Sequence, residues 1–241
     1  MTTSAVDPDC ARRTDCREAS DGVVAIPAAA RVEALRFVSA YAYSPAGTDS
    51  MSRRSRRWCA AIKAADPQAL SVGARTLARV ARARTEFATP LDRGAVLVPV
   101  PGSVPRPASG TCVSVALAIA LTRCGIGVGV REVLERAVPV RKSATAPAGA
   151  RPTIATHYAS LRIVATPIGP DAAVLVLIDD VVSRGRTLLA AACRLHAHFP
   201  RTPILALALM RTMGYVTDIA DLDAPCLGEI RWRHGDAVRA P

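Results

Sequence analysis

Asp179 and Asp180 stand side by side at the end of an apolar run, and Ser183, Arg184, Gly185, Arg186 and Thr187 follow closely. Residues of these types in this order can do phosphate and sugar chemistry. Paired carboxylates accept hydrogen bonds from hydroxyl groups or sit beside a cation, and a small polar turn offers hydroxyl and backbone N–H donors to a phosphate. The run before the acids, 172–178, shows no alternation, as in a strand covered on both faces within a parallel sheet. After the turn, Leu188, Leu189, Ala192 and Leu195 recur at helical spacing. The stretch therefore reads as strand, acidic pair, turn and helix. In open α/β sheets ligands sit beyond the carboxyl ends of the strands, and a helix N-terminus there favours an anion. A buried strand whose acids merely open a loop is the plainer alternative, but it leaves the phosphate-type turn without a reason.

The stretch resembles the phosphoribosyl pyrophosphate (PRPP) loop of type I phosphoribosyltransferases. In that motif apolar residues precede two acids, two further apolar residues, a small polar residue, any residue, Gly, any residue and Thr. Asp179, Asp180, Ser183, Gly185 and Thr187 fall in place. Upstream, the apolar stretch 95–100 ends in Val98-Pro99-Val100-Pro101, the form carried by ComF-like (amidophosphoribosyltransferase-like) members. The resemblance covers 95–212, and more loosely 41–66, where Tyr41, a turn at Pro45 and Gly47, a helix and the pair Ile62-Lys63 occur. The zinc-binding Cys cluster that often begins ComF-like chains is missing here.

The resemblance implies the type I phosphoribosyltransferase fold, with a mostly parallel central sheet flanked by helices, a helical N-terminal extension and a small C-terminal hood. It implies transfer of the phosphoribosyl group of PRPP to a nitrogen nucleophile, with release of pyrophosphate. The catalytic residues would be Asp179, Asp180 and Lys142. Ser183, Arg184, Gly185, Arg186 and Thr187 would hold the 5′-phosphate, and the loop of Pro99, Val100, Pro101, Gly102 and Ser103 the pyrophosphate, with Arg106 a remnant of a basic stretch. Mg²⁺ is the implied cofactor, held mainly by the substrate near Asp179 and Asp180 with no direct protein ligand. Arg141 and Lys142 resemble the basic start of a lid over 143–157, in which His157 lies. Hypoxanthine-guanine-type relatives carry an Asp general base where this chain has Ser183, so a 6-oxopurine acceptor activated in that way is disfavoured. The acceptor stays open.

The elements that must position these residues divide the 241-residue chain into a flexible tail (1–22), a mainly helical extension (23–94), a core (95–213) and a hood (214–241). Within the extension, short apolar pieces over 23–40 are read as a strand and a helix, and helices are expected over 53–65 and 69–87, with a linker at 90–94. In the core, 112–123 reads as a helix apolar nearly all round, capped by Thr111. A short helical piece is expected over 131–136, strands over 137–141 and 161–165, and another buried strand over 204–210.

Composition narrows the partners. The net charge is +11, and of 31 basic residues besides His only Lys63 and Lys142 are lysines, so two lysines persist in an arginine-dominated chain. Such a charge favours phosphorylated ligands or polyanions. Arg53, Arg54, Arg56 and Arg57 form either a solvated helix face or a nucleic-acid contact, which gives a second reading: a ComF-like, non-catalytic factor that binds PRPP or nucleic acid in DNA uptake or defence. The seven cysteines lack Cys-x-x-Cys spacing, consistent with a reducing compartment without zinc or disulfides. The absence of a signal core or a long apolar run points to a cytoplasmic protein with no membrane contact, and a homodimer is compatible.

Overall fold

The computed structural model describes residues 25–105, 112–141, 151–164, 172–214 and 218–241. The expected 1–22 tail, Arg106, Thr111, Lys142 and the 143–150 part of the lid lie outside them. In chain order the elements are β1 (Ala34–Tyr43), α1 (Ser50–Lys63), α2 (Pro67–Arg82), α3 (Thr85–Asp92), β2 (Ala95–Pro99), α4 (Val113–Arg123), β3 (Gly129–Val130), β4 (Leu134–Arg136), α5 (Ile154–Ser160), β5 (Leu161–Ile163), β6 (Val174–Val182), α6 (Arg186–His198), β7 (Ile204–Thr212), β8 (Cys226–Arg233) and β9 (Asp236–Ala240).

Seven strands form one sheet in the order β3-β2-β6-β7-β1-β8-β9. β3 to β1 run parallel, and β8 and β9 add antiparallel strands beyond β1. The apolar runs explain this sheet, because both of its faces are covered. Leu175 and Leu177 of β6 point into a core shared with α5 and α6. Val174, Val176 and Ile178 point the other way, into a core built with α1, α2, α3 and α4. The chain is thus an α/β structure with a mostly parallel central sheet between two helical layers. β4 and β5 form a separate antiparallel pair.

The helices begin where the sequence supplies caps. Asp49 accepts from the Ser52 N–H at the start of α1. Asp66 accepts from the Ala69 N–H at 2.7 Å at the start of α2, with Pro67 in the first turn. No described helix is long and apolar enough to cross a membrane. The described cysteines are free.

Several expectations are corrected. Residues 134–136 are strand β4, not the end of a helix, because Leu134 and Arg136 turn inward while Glu135 pairs outward with Arg162. Residues 137–141 form no strand; they pass over the 99–103 loop, where Val140 N–H donates to the Ser103 carbonyl at 2.7 Å. The linker at 90–94 is partly helical, since Phe87 and Leu91, one turn apart, both bury completely and hold α3 through Pro90. α4 is not buried all round: Ile119 is 42% exposed. α5 occupies part of the expected lid. The strand expected within 23–40 is met by β1, which runs on to Tyr43 and lies within the sheet between β7 and β8.

Candidate functional site

The strand order reverses between β2 and β6. From β2 the chain moves outward to β3; it returns to β6 on β2's other side and continues to β7. The crevice beyond the carboxyl ends of two such strands is where open α/β sheets bind ligands. β2 and β6 pair in register up to Pro99 and Ile178, and Val100 N–H donates to the Ile178 carbonyl at 2.9 Å. The 99–103 loop and the acidic pair therefore sit side by side at this crevice.

Asp180 N–H donates to Asp179 Oδ1 at 2.9 Å, and Val181 N–H to Asp180 Oδ1 at 2.8 Å. Burial first, and then the negative charge of Asp180, raise the Asp179 pKa well above the ordinary carboxylate range. Asp180 has a cationic partner: Lys63 Nζ, from the end of α1, lies 2.7 Å from its Oδ2. Burial acts against the charge on Lys63, but Asp180 outweighs it and raises the Lys63 pKa. Lys63 is a member of this site that its place in the chain does not reveal. The signals for it were the Ile62-Lys63 pair and its survival in an arginine-dominated sequence.

The turn after β6 is fixed by Gly185. Its φ is +87°, and a Cβ there would lie 2.6 Å from Ile230 Cδ1. Only glycine combines this left-handed conformation with so close an approach of β8. α6 starts immediately afterwards, with Gly185 at its N-cap and no side-chain cap, which leaves first-turn donors for a ligand. Ser183 and Arg184 are exposed. Arg186 is engaged by the protein itself. It holds Asp236 of β9 through two hydrogen bonds and donates to the Pro152 carbonyl at 3.1 Å. Arg184 lies 3.5 Å from the same Asp236. The two arginines thus strap the turn to the C-terminal hairpin and to the start of α5.

Thr187 Oγ1 lies 3.5 Å from Nε2 of His157. His157, placed by its sequence context in a loop, sits on α5 and is buried, and its Nδ1 has no hydrogen-bond partner among the described residues. Burial and the nearby charges of Arg136 and Arg186 push its pKa down to about 4, so the ring is neutral at pH 7.

Arg136 is the second residue sequence reasoning missed. It is 1% exposed. Its Nε donates to the Gly102 carbonyl at 2.8 Å, one Nη to the Pro101 carbonyl at 3.4 Å and the other to Ser160 Oγ of α5. Ser114 Oγ of α4 donates to the Val100 carbonyl at 2.6 Å. With Val140 on Ser103, four successive carbonyls of this loop are engaged by protein donors. In a trans peptide the N–H points opposite to the preceding carbonyl, so the N–H groups of Gly102 and Ser103 point away from Arg136. Burial lowers the Arg136 pKa to about 10, with Asp179 opposing, and the group stays charged at neutral pH.

The structure therefore brings together Asp179, Asp180, the 183–187 turn and the 99–103 loop, and adds Lys63, Arg136 and His157. Arg141 is exposed close to Ser103; Lys142 lies outside the described residues. Nothing at the crevice forms a dedicated metal cage: no group of three or more His, Cys, Asp or Glu converges among the described residues. No protein-family model matches the chain, and no curated protein sequence matches it. The fold and site define an α/β protein with a mostly parallel sheet and a pair of adjacent carboxylates at its strand-order reversal.

Proposed function

We propose that the chain is a phosphoribosyltransferase of the type I fold, similar to ComF-like members, that binds PRPP with Mg²⁺ and transfers the phosphoribosyl group to a nitrogen nucleophile. The observation that carries this reading is the meeting, at the β2–β6 crevice, of Asp179 and Asp180 with the 99–103 loop beside them and the 183–187 turn directly after them. PRPP has a 5′-phosphate, a ribose and a pyrophosphate, and the crevice offers a different surface to each. The 5′-phosphate fits the first turn of α6, where backbone N–H groups and the Ser183 and Thr187 hydroxyls donate. The ribose hydroxyls donate to Asp179 and Asp180. The pyrophosphate fits against the N–H groups of Gly102 and Ser103, with Arg141 and Lys142 adding charge. Because Arg184 and Arg186 are engaged by Asp236, the 5′-phosphate depends on neutral donors more than on guanidinium groups.

In the transfer, the acceptor nitrogen forms a bond to the anomeric carbon while the bond from that carbon to the pyrophosphate oxygen breaks. The electron pair leaves with pyrophosphate. The chain's part is to hold the two phosphate ends apart, to keep the ribose hydroxyls on the carboxylates and to place donors where negative charge builds; each well-placed donor is worth ~3 kcal/mol. The cation would be carried mainly by the substrate's own phosphates, beside Asp179 and Asp180. Mg²⁺ would supply neutralisation of the leaving pyrophosphate there.

The test is calorimetric titration of PRPP with MgCl2 into the unaltered chain and into Asp179→Asn/Asp180→Asn. Binding is expected for the first and at least ~100-fold weakening for the second, the scale of two lost charge-assisted contacts. Absence of binding by a well-folded unaltered chain overturns the reading. Pyrophosphate release in the presence of candidate amines or bases then separates turnover from binding.

A second reading, a factor that contacts nucleic acid, draws on one observation. Arg75, Arg79 and Arg82 of α2 and Arg123 of α4 line a hollow of about 500 Å³ with no acidic side chain in its lining. Phosphates neutralised there would give single-stranded DNA an affinity that falls steeply with salt, with a log–log slope of roughly −0.7 per contact. A flat salt dependence removes this reading.

A further inference from the structure

α1 has two flanks. Lys63 lies on one and reaches Asp180. On the other, Arg54, Arg57 and Trp58 fall at helical spacing and close, with α2, over a separate cavity of about 430 Å³. We propose that this cavity is a binding site for a nucleoside monophosphate whose base carries an amino group.

The floor is aromatic. Tyr41 of β1 is 4% exposed, and Trp58 meets it edge to face with ring centroids 5.7 Å apart and planes at 68°. Trp58 itself is half-buried, and its Nε1 has no hydrogen-bond partner among the described residues. A partly covered indole is a stacking surface for a base, worth ~1–3 kcal/mol. The rim is cationic. Arg54 and Arg57 are exposed and enter no ion pair among the described residues, so two guanidinium forks stand free for a phosphate. Across the cavity, Asp223 is the sole acid of the lining. It can accept from an exocyclic amino group, while the Thr76 hydroxyl can donate or accept at a base edge.

Other ligand classes fit less well. A bare phosphate leaves the aromatic floor and most of the volume unused. A sugar phosphate has no flat face for Trp58. An apolar ligand would strip water from Arg54, Arg57 and Asp223 without replacing those hydrogen bonds. A cavity of this volume lies within the range of small-molecule sites. The site shares no lining residue with the acidic-pair crevice, so it stands or falls independently of the proposed transfer reaction.

The chain's two tryptophans, Trp58 and Trp232, give the readout. In Trp232→Phe the emission comes from Trp58 alone. AMP, CMP, UMP, ribose 5-phosphate and inorganic phosphate are titrated in turn, with calorimetry on the unaltered chain as the parallel measurement. Saturable quenching by AMP or CMP is expected, at least tenfold tighter than by UMP or phosphate. It should weaken at least tenfold in Arg54→Ala/Arg57→Ala, whose exposed side chains leave the core intact, and persist in Asp179→Asn/Asp180→Asn. The proposal is overturned by absence of saturable binding, by equal binding of inorganic phosphate, by indifference to Arg54→Ala/Arg57→Ala, or by loss of binding in the acidic-pair variant. Binding of a single-stranded oligonucleotide without binding of any mononucleotide also overturns it.

Discussion

Asp179 sits at a cost. Burial and the neighbouring Asp180 carboxylate raise its pKa, so the folded chain favours the protonated acid more than the unfolded chain does. Stability from this source is present below 3.8 and is lost as pH rises through the raised value. Asp179→Asn is therefore expected to stabilise the chain at pH 7 by ~1 kcal/mol, or about 2–4 °C in Tm, while abolishing PRPP binding; a lower Tm in a thermal melt would show that Asp179 is structural. His157 behaves oppositely. Its pKa falls from 6.5 to about 4, so its contribution is complete above 6.5 and is lost as pH drops toward 4, by up to about 3 kcal/mol. Urea midpoints across that window should fall less in His157→Gln than in the unaltered chain, and parallel curves would refute this. At this scale the sequence was partly legible. Asp179, Asp180 and Gly185 stand in one contiguous stretch whose chemistry shows locally. Lys63 and Arg136 reach the crevice from distant elements, and only long-range pairing makes them members of it.

The elements show what kind of signal carries. The β6–turn–α6 unit was readable because an apolar run and a helical repeat meet at the acids. The pieces 131–141 and 154–160 were misread because a three-residue strand and a two-turn helix carry too little periodicity, whereas the strand expected over 161–165 is met by β5. Their register comes from partners: Leu134 opposite Ile163, Arg136 opposite Leu161. Arg136 is the hinge pin of that assembly, joining β4, the 99–103 loop and α5. Arg136→Met keeps much of the packing but leaves buried acceptors unsatisfied, at a cost of ~2–4 kcal/mol. Arg136→Lys should not rescue it, since one ammonium cannot span three acceptors in two segments. If the loop presents its N–H groups to pyrophosphate, both variants also weaken PRPP binding by at least tenfold. Calorimetry at a temperature where the variants stay folded distinguishes this from simple destabilisation: reduced urea resistance with unchanged PRPP affinity would leave Arg136 a purely structural residue.

At the scale of the whole molecule, the first and last described strands join one sheet. β1 accepts β7 on one side in parallel register from Phe37 opposite Ala206 to Tyr43 opposite Thr212, and β8 on the other side in antiparallel register. Phe37, Leu35 and Val38 are fully buried there. This placement was illegible locally, because Arg36 and Ser39 interrupt the apolar run of β1 and nothing nearby says which strand it pairs with. The segment 95–213 has β2, β6 and α6 but lacks Lys63 of α1; without β1 the β7 edge is open, and without β8 the contact of Ile230 with Gly185 is gone. An open, apolar edge favours association over folding. The expressed fragment 95–213 should therefore be aggregation-prone or lack cooperative unfolding, while addition of 25–94 and 214–241 restores a single transition. Urea denaturation followed by circular dichroism and by the emission of Tyr158, both tryptophans lying outside the fragment, checks this. A soluble, cooperatively unfolding 95–213 fragment would mean that the crevice is held by β2, β6 and α6 alone, and that the terminal strands serve the surface rather than the site.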